Sequence, residues 1–131
     1  MWVALQTLLY GGALVLDTSR HFDADTAVTL LAGERVALTM LIGDATARPI
    51  TDAIAADRRG VGGGRLDLSA LQVVASGGAI LSTSVKEQLR ALLPHTKIVD
   101  TYGASETGGQ GRLRLGPDGS PKLVTDEHTA V

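Results

Sequence analysis

The sequence predicts an α/β fold, a mostly parallel sheet with crossover helices that ends in a β-hairpin. Three observations predict it. Short aliphatic runs alternate with longer segments of helical spacing along the first hundred residues. Most of the runs are nearly unbroken, as expected for strands covered on both faces. The order strand, helix, strand, helix, strand, helix, strand implies parallel pairing through right-handed crossovers.

The opening stretch Met1 to Leu16 is largely apolar but too short for a bilayer, which takes about 20 residues, and Gln6, Thr7 and Gly11-Gly12 interrupt it. Met1-Trp2-Val3 lacks the basic start of a signal peptide. It reads as a buried helix, a turn, and a strand over Ala13 to Leu16. Asp23 to Arg35 reads as a second helix, capped by Asp23 or Asp25. Ala37 to Ile42 is the next strand, and a helix follows between Asp44 and Arg59. Pro49 falls either at its first position or at a kink in its first turns.

Arg58 to Asp67 carries Gly60, Gly62, Gly63 and Gly64. No lysine-serine or lysine-threonine pair follows and no strand leads in, so it reads as a surface connection rather than a phosphate loop. Leu71 to Ala75 is a strand. Ser82 to Leu93 has the clearest helical face, with Val85, Leu89, Leu92 and Leu93 on one side. Ser84 and Glu87 have capping-box spacing, Ser82 can serve equally as the cap, and Pro94 closes the helix. Lys97 to Thr101 is the fourth strand. Arg112 to Leu115 and Lys122 to Thr125 flank Gly116-Pro117-Asp118-Gly119 as a hairpin would. Residues 1–109 thus form the α/β portion and 110–131 the hairpin region.

Composition narrows the function classes. At 131 residues the chain is long enough for one domain with a real core, and with only 3% aromatic residues that core must be aliphatic. A net charge of −2 argues against a basic nucleic-acid-binding face. The absence of cysteine excludes disulfides, thiolate metal sites and a cysteine nucleophile, and fits a cytoplasmic protein. His21 and His95 sit in polar surroundings and receive no role.

In a parallel α/β sheet, ligands bind beyond the carboxyl ends of the strands. Three small, polar, glycine-bearing turns fall at such ends: Gly43-Asp44, Ser76-Gly77-Gly78, and Tyr102-Gly103-Ala104-Ser105-Glu106. The richest stretch is Asp100-Thr101-Tyr102-Gly103-Ala104-Ser105-Glu106-Thr107-Gly108-Gly109. A tyrosine there can cover a purine ring, and an aspartate can accept from an exocyclic amine. A serine can donate to a phosphate oxygen, and a glutamate suits magnesium held with nucleotide phosphates. Gly103 lets the backbone approach a ligand. Together they describe a nucleotide and magnesium pocket.

The stretch resembles the tyrosine-glycine-x-threonine-glutamate motif of adenylate-forming enzymes, the superfamily of acyl-CoA synthetases, luciferases and nonribosomal peptide adenylation domains. Ala75-Ser76-Gly77-Gly78-Ala79, a helix and the tyrosine motif follow one another in that family's order. Trp2-Val3-Ala4-Leu5-Gln6 through Gly11-Gly12 resembles its helix-strand step. Gly43-Asp44-Ala45-Thr46-Ala47-Arg48-Pro49 is similar to a bacterial fatty-acid or steroid-side-chain CoA ligase branch. The resemblance covers residues 2 to 131.

It implies ATP-dependent activation of a small-molecule carboxylic acid as an acyl-adenylate, then thioester formation with coenzyme A. By position, Tyr102 would stack on adenine and Asp100 would bond its amine, with Thr101 and Gly103 in the same nucleotide-binding stretch. Ser105 would touch the α-phosphate or acyl carbonyl, and Glu106 would bind Mg2+. Gly77, Gly78 and Ala79 would wall the adenylate and the head of the acyl tunnel. Ser105 departs from the family's usual threonine, keeping the hydroxyl and losing the methyl. The family's phosphate loop, ribose-binding aspartate and lysine-bearing C-terminal domain fall outside these residues. Both ends therefore read as cut, and the isolated chain is expected not to be a competent ligase.

Two alternatives compete. Gly103-Ala104-Ser105-Glu106-Thr107 approaches the nucleophile elbow of α/β-hydrolases, with Asp118 or Asp126 and His128 following in order, but Thr107 stands where the second glycine belongs. A non-catalytic nucleotide-binding module is the other, its uncovered sheet edges prone to self-association.

Overall fold

The computed structural model describes residues 2–60, 64–104, 108–115 and 121–124. Its elements run α1 (Trp2–Leu9), α2 (Ala24–Gly33), β1 (Leu38–Leu41), α3 (Gly43–Arg59), β2 (Val73–Ser76), α4 (Thr83–Leu92), β3 (Lys97–Ala104), β4 (Gly108–Leu115) and β5 (Pro121–Val124). The five strands form one sheet in chain order. β1, β2 and β3 are parallel, with Leu38 opposite Val73 and Val73 opposite Lys97. β4 and β5 add on antiparallel, with Thr101 opposite Arg112 and Arg112 opposite Val124. The expected mixed architecture and terminal hairpin are present.

The capping alternatives resolve on single hydrogen bonds. Asp23 caps α2, its carboxylate accepting from the Thr26 amide at 2.8 Å. Ser82 caps α4, its hydroxyl accepting from the Val85 amide at 3.4 Å. Pro49 lies inside α3, at the end of its second turn rather than at its first position. At that position the ring leaves the Ala45 carbonyl without its i+4 donor, while the helix start is secured by side-chain bonds. One of these is the Ile42 amide donating to Thr46 Oγ1 at 2.7 Å.

Two right-handed crossovers stepping in the same direction put α3 and α4 on one face of the sheet. The core forms there from Val28 and Leu31 of α2, Ala47, Ile50 and Ile54 of α3, and Val85, Leu89 and Leu93 of the α4 region, packed on Leu41 and Val74. Ile98 joins its margin. Three polar side chains buried with this core are each bonded. Thr51 donates to the Ala47 carbonyl at 2.7 Å, Thr96 donates to the Leu71 carbonyl at 2.6 Å, and Ser76 accepts from the Gly43 amide at 3.1 Å.

Three sequence expectations are corrected. Ala13 to Leu16 is not a strand, and its residues are exposed. An aliphatic run becomes a strand only when a neighbour completes its hydrogen-bond ladder. α1 forms but is not buried, with Leu8 58% and Leu9 74% exposed. The sheet is not covered on both faces among the described residues, since Leu38 and Met40, which alternate with the core-facing Leu41, are exposed.

Candidate functional site

Beyond Asp100, β3 changes neighbours. It pairs with β2 up to the Ser76–Asp100 partners and with β4 from Thr101 onward. β2 therefore ends at Ser76 while β3 continues to Ala104, and the loop after Ser76 lies close against the extended β3 at Thr101. The Tyr102–Ala104 segment, expected as a turn, is strand. The register shifts between Tyr102 and Gly103, an irregularity that re-aims side chains at this edge.

The loops after β1 and β2 are tied together. Gly77 donates its amide to the Leu41 carbonyl at 3.1 Å, and Asp44 donates its amide to the Ile80 carbonyl at 3.0 Å. The Asp44 carboxylate accepts from the Ser82 amide at 2.7 Å and from Arg48 at 2.9 Å. That Ser82 amide bond is the main reason the Asp44 carboxyl titrates below the usual carboxylate range, with Arg48 adding to it. Gly43 sits at φ +50° in a space with no room for a side chain: a Cβ there would lie 2.5 Å from the Ile80 carbonyl oxygen. The sequence thus brings Gly43-Asp44 and Ser76 to Ile80 to one place, as the strand-end pattern predicts.

Gly77 is buried, and a Cβ on it would meet Thr101 Oγ1 at 2.7 Å and Met40 Cε at 2.9 Å. Gly78, at φ +77°, and Ala79 are exposed beside it. Thr101 spends its hydroxyl on the Ser76 carbonyl at 2.9 Å, so it fastens the two strands rather than presenting that group to a ligand. Tyr102 is 52% exposed. Gly103 is exposed next to it.

Asp100 is not a free carboxylate. Its side chain is 8% exposed and forms an ion pair, through Oδ2, with Nζ of Lys86 on α4, itself 12% exposed. Sequence reading did not single out Lys86. The available signal was the aspartate itself: a charge on a buried strand requires a counter-charge, and Lys86 adjoins the core position Val85 on the helix that packs beside β3.

Ser105 and Glu106 lie outside the described residues, as do Thr107, Asp118, Asp126 and His128. Among the described residues no group of three or more histidine, cysteine or acidic side chains gathers in a metal-binding arrangement. No described helix is long and apolar enough to cross a membrane. A separate cavity is lined by Val28, Ala53, Asp57 and Leu66, at the α2 and distal α3 end of the fold. Its carboxylate Asp57 already accepts from the Arg65 and Leu66 amides.

The family model described as "AMP-binding enzyme" matches residues 1–128. The medium-chain acyl-CoA ligase Mig of Mycobacterium avium is 38% identical over 130 residues, covering 89% of this chain and 22% of that protein. A medium/long-chain-fatty-acid–CoA/3-oxocholest-4-en-26-oate–CoA ligase of Mycolicibacterium smegmatis is 37% identical, covering 99% of this chain and 23% of that protein. The chain therefore spans about a fifth of the length of these curated relatives. Among solved structures, the luciferase-like enzyme of the mealworm Zophobas morio superposes with a TM-score of 0.65 at 20% identity, over 86% of this chain and 25% of that one. A Brucella canis acyl-CoA synthetase gives 0.61 at 19% identity, over 93% of this chain and 25% of that one. At these identities the structural matches speak for the fold.

Proposed function

We propose that this chain, which belongs to the AMP-binding enzyme family, supplies the adenine-binding edge and one wall of the acyl-adenylate site of an ATP-dependent acyl-CoA ligase. The observation that carries the reading is the meeting of β3 with the tied glycine-bearing loops after β1 and β2. Asp100 is the last β3 residue paired with β2, Tyr102 follows two residues on, and Thr101 between them adjoins Gly77 of the loop that Gly43 and Asp44 hold in place.

In this reading a carboxylate attacks the α-phosphate of ATP, an acyl-adenylate and pyrophosphate form, and the thiol of coenzyme A then displaces AMP. Tyr102 stacks on adenine and Asp100 accepts from its amine. Gly77, Gly78 and Ala79 line the path of the adenylate and the acyl head. Ser105 and Glu106 take the roles their place in the motif gives them, a hydroxyl at the α-phosphate or acyl carbonyl and a ligand to Mg2+. The acid is of the fatty or steroid-side-chain type that the mycobacterial relatives' names state for those enzymes.

Stabilising charge on the transferring phosphoryl group supplies most of the catalysis in such a reaction. These 131 residues contain neither the family's phosphate loop nor its C-terminal lysine. The polypeptide alone is expected to support no acid-dependent ATP–pyrophosphate exchange, and exchange by it would contradict the reading. Grafted in place of the matching segment of the M. smegmatis relative, it is expected to sustain exchange that Glu106→Gln abolishes. A folded graft without exchange, or one indifferent to E106Q, would overturn the assignment.

A further inference from the structure

A carboxylate is an awkward reader of adenine. Its charge is unfavourable near an anionic nucleotide, and burying it without a partner is costly. The Asp100 side chain is more than nine-tenths buried and is paired with Lys86, which is 12% exposed. Buried ion pairs are poor stabilisers, often replaceable by apolar residues without loss. This pair sits at the point where β3 parts from β2, two residues before the half-exposed Tyr102.

We propose that Lys86 is a positioning residue for adenine recognition. Its ammonium holds Oδ2 of Asp100 and neutralises the carboxylate, so that Oδ1 is presented, at fixed orientation and without net charge, to the exocyclic amine of the base. The inference rests on the adenine reading of Asp100 given above. It makes the pair behave as a neutral acceptor, equivalent to a side-chain amide oxygen but locked from the opposite side by α4. Selectivity for a 6-amino over a 6-oxo purine follows, because a 6-oxo group meets the carboxylate with an acceptor instead of a donor.

The test is calorimetric titration of AMP and IMP into the 131-residue chain and its Lys86→Met, Lys86→Gln and Lys86→Met/Asp100→Asn variants, with circular dichroism reporting the fold. A hydrogen bond to a neutral acceptor corresponds to a preference for AMP of about 2- to 13-fold in the parent chain. K86M is expected to lose most of that preference. K86M/D100N is expected to regain it, since an amide oxygen needs no counter-charge. K86Q, which keeps a donor and the packing, replaces K86M if the latter does not fold. A folded K86M or K86Q that discriminates like the parent would overturn the role of Lys86 while leaving that of Asp100. So would a folded double variant that does not regain the preference. A parent chain that binds both nucleotides alike, or neither, would instead overturn the adenine reading itself.

Discussion

Gly43→Ala tests how the site wall is built. At φ +50°, an alanine pays for a left-handed conformation that glycine adopts freely, about 1–2 kcal/mol. Its Cβ would also lie 2.5 Å from the Ile80 carbonyl oxygen, 2.7 Å from Ala79 Cβ and 2.8 Å from the Ala79 carbonyl carbon. Two of those three atoms are backbone, so no side-chain rotation relieves the contact, and overpacking of this kind costs about 1–3 kcal/mol more. The two effects together destabilise by about 2–5 kcal/mol. For a chain of 131 residues, unfolding entropy of about 0.28 kcal/mol per kelvin converts this to a fall in Tm of roughly 7–18 °C. Thermal unfolding followed by circular dichroism measures it, with Gly33→Ala as the matched control. Gly33 ends α2, has ordinary φ and has no heavy atom within 4 Å of a Cβ. G33A should leave Tm unchanged or raise it slightly, by up to about 1 kcal/mol of helix propensity. If G43A matched G33A, the close meeting of the β1–α3 turn with the Ala79–Ile80 segment would be refuted.

Other consequences can be measured on the same protein. Asp44 has a folded-state pKa below its unfolded value, held down chiefly by the Ser82 amide. Its contribution is therefore present above about pH 3.9 and lost as pH falls through the lower folded value. In urea titrations from pH 7 to pH 2, Asp44→Asn should lower the neutral midpoint and flatten part of the acid decline, and a decline of unchanged size would contradict the assigned bond. Leu89→Ala, at a fully buried position of α4, should cost about 2–5 kcal/mol, while Leu9→Ala, 74% exposed on α1, should stay within about 0.5 kcal/mol. Equal losses would mean that α1 is packed. The exposed Leu38 and Met40 on β1 should promote self-association, visible in light scattering as mass rising with concentration, and Met40→Lys should reduce it. A clean monomer at every concentration would count against an uncovered apolar sheet face.

Much of the fold was legible because it is local. Asp23 and Ser82 announce their helices by a short polar side chain ahead of an apolar periodicity, and the structure adds the capping bonds themselves. β1, β2 and the start of β3 are short aliphatic runs in a fixed order with helices between, and that order alone sets parallel pairing. The misreadings are tertiary. Ala13 to Leu16 has a strand's composition, but the ladder that would make it one is not a property of those residues. Gly103 looks like a strand terminator, yet β3 passes through it because β4 takes over the pairing from Thr101. The site shows the same division. The glycine turns and Tyr102 were visible as a pattern at strand ends. The tie between Asp44 and Ser82 joins residues 38 positions apart, and Lys86 meets Asp100 from another element. Neither partnership leaves a local mark.

The most direct test of the proposed adenine site is a calorimetric titration of AMP into the chain and into Tyr102→Ala. Loss of base stacking is worth about 1–3 kcal/mol, so the variant should bind about 5- to 150-fold more weakly while its circular dichroism stays unchanged. Equal affinity of the two proteins for AMP, or no binding by the parent, would contradict the account.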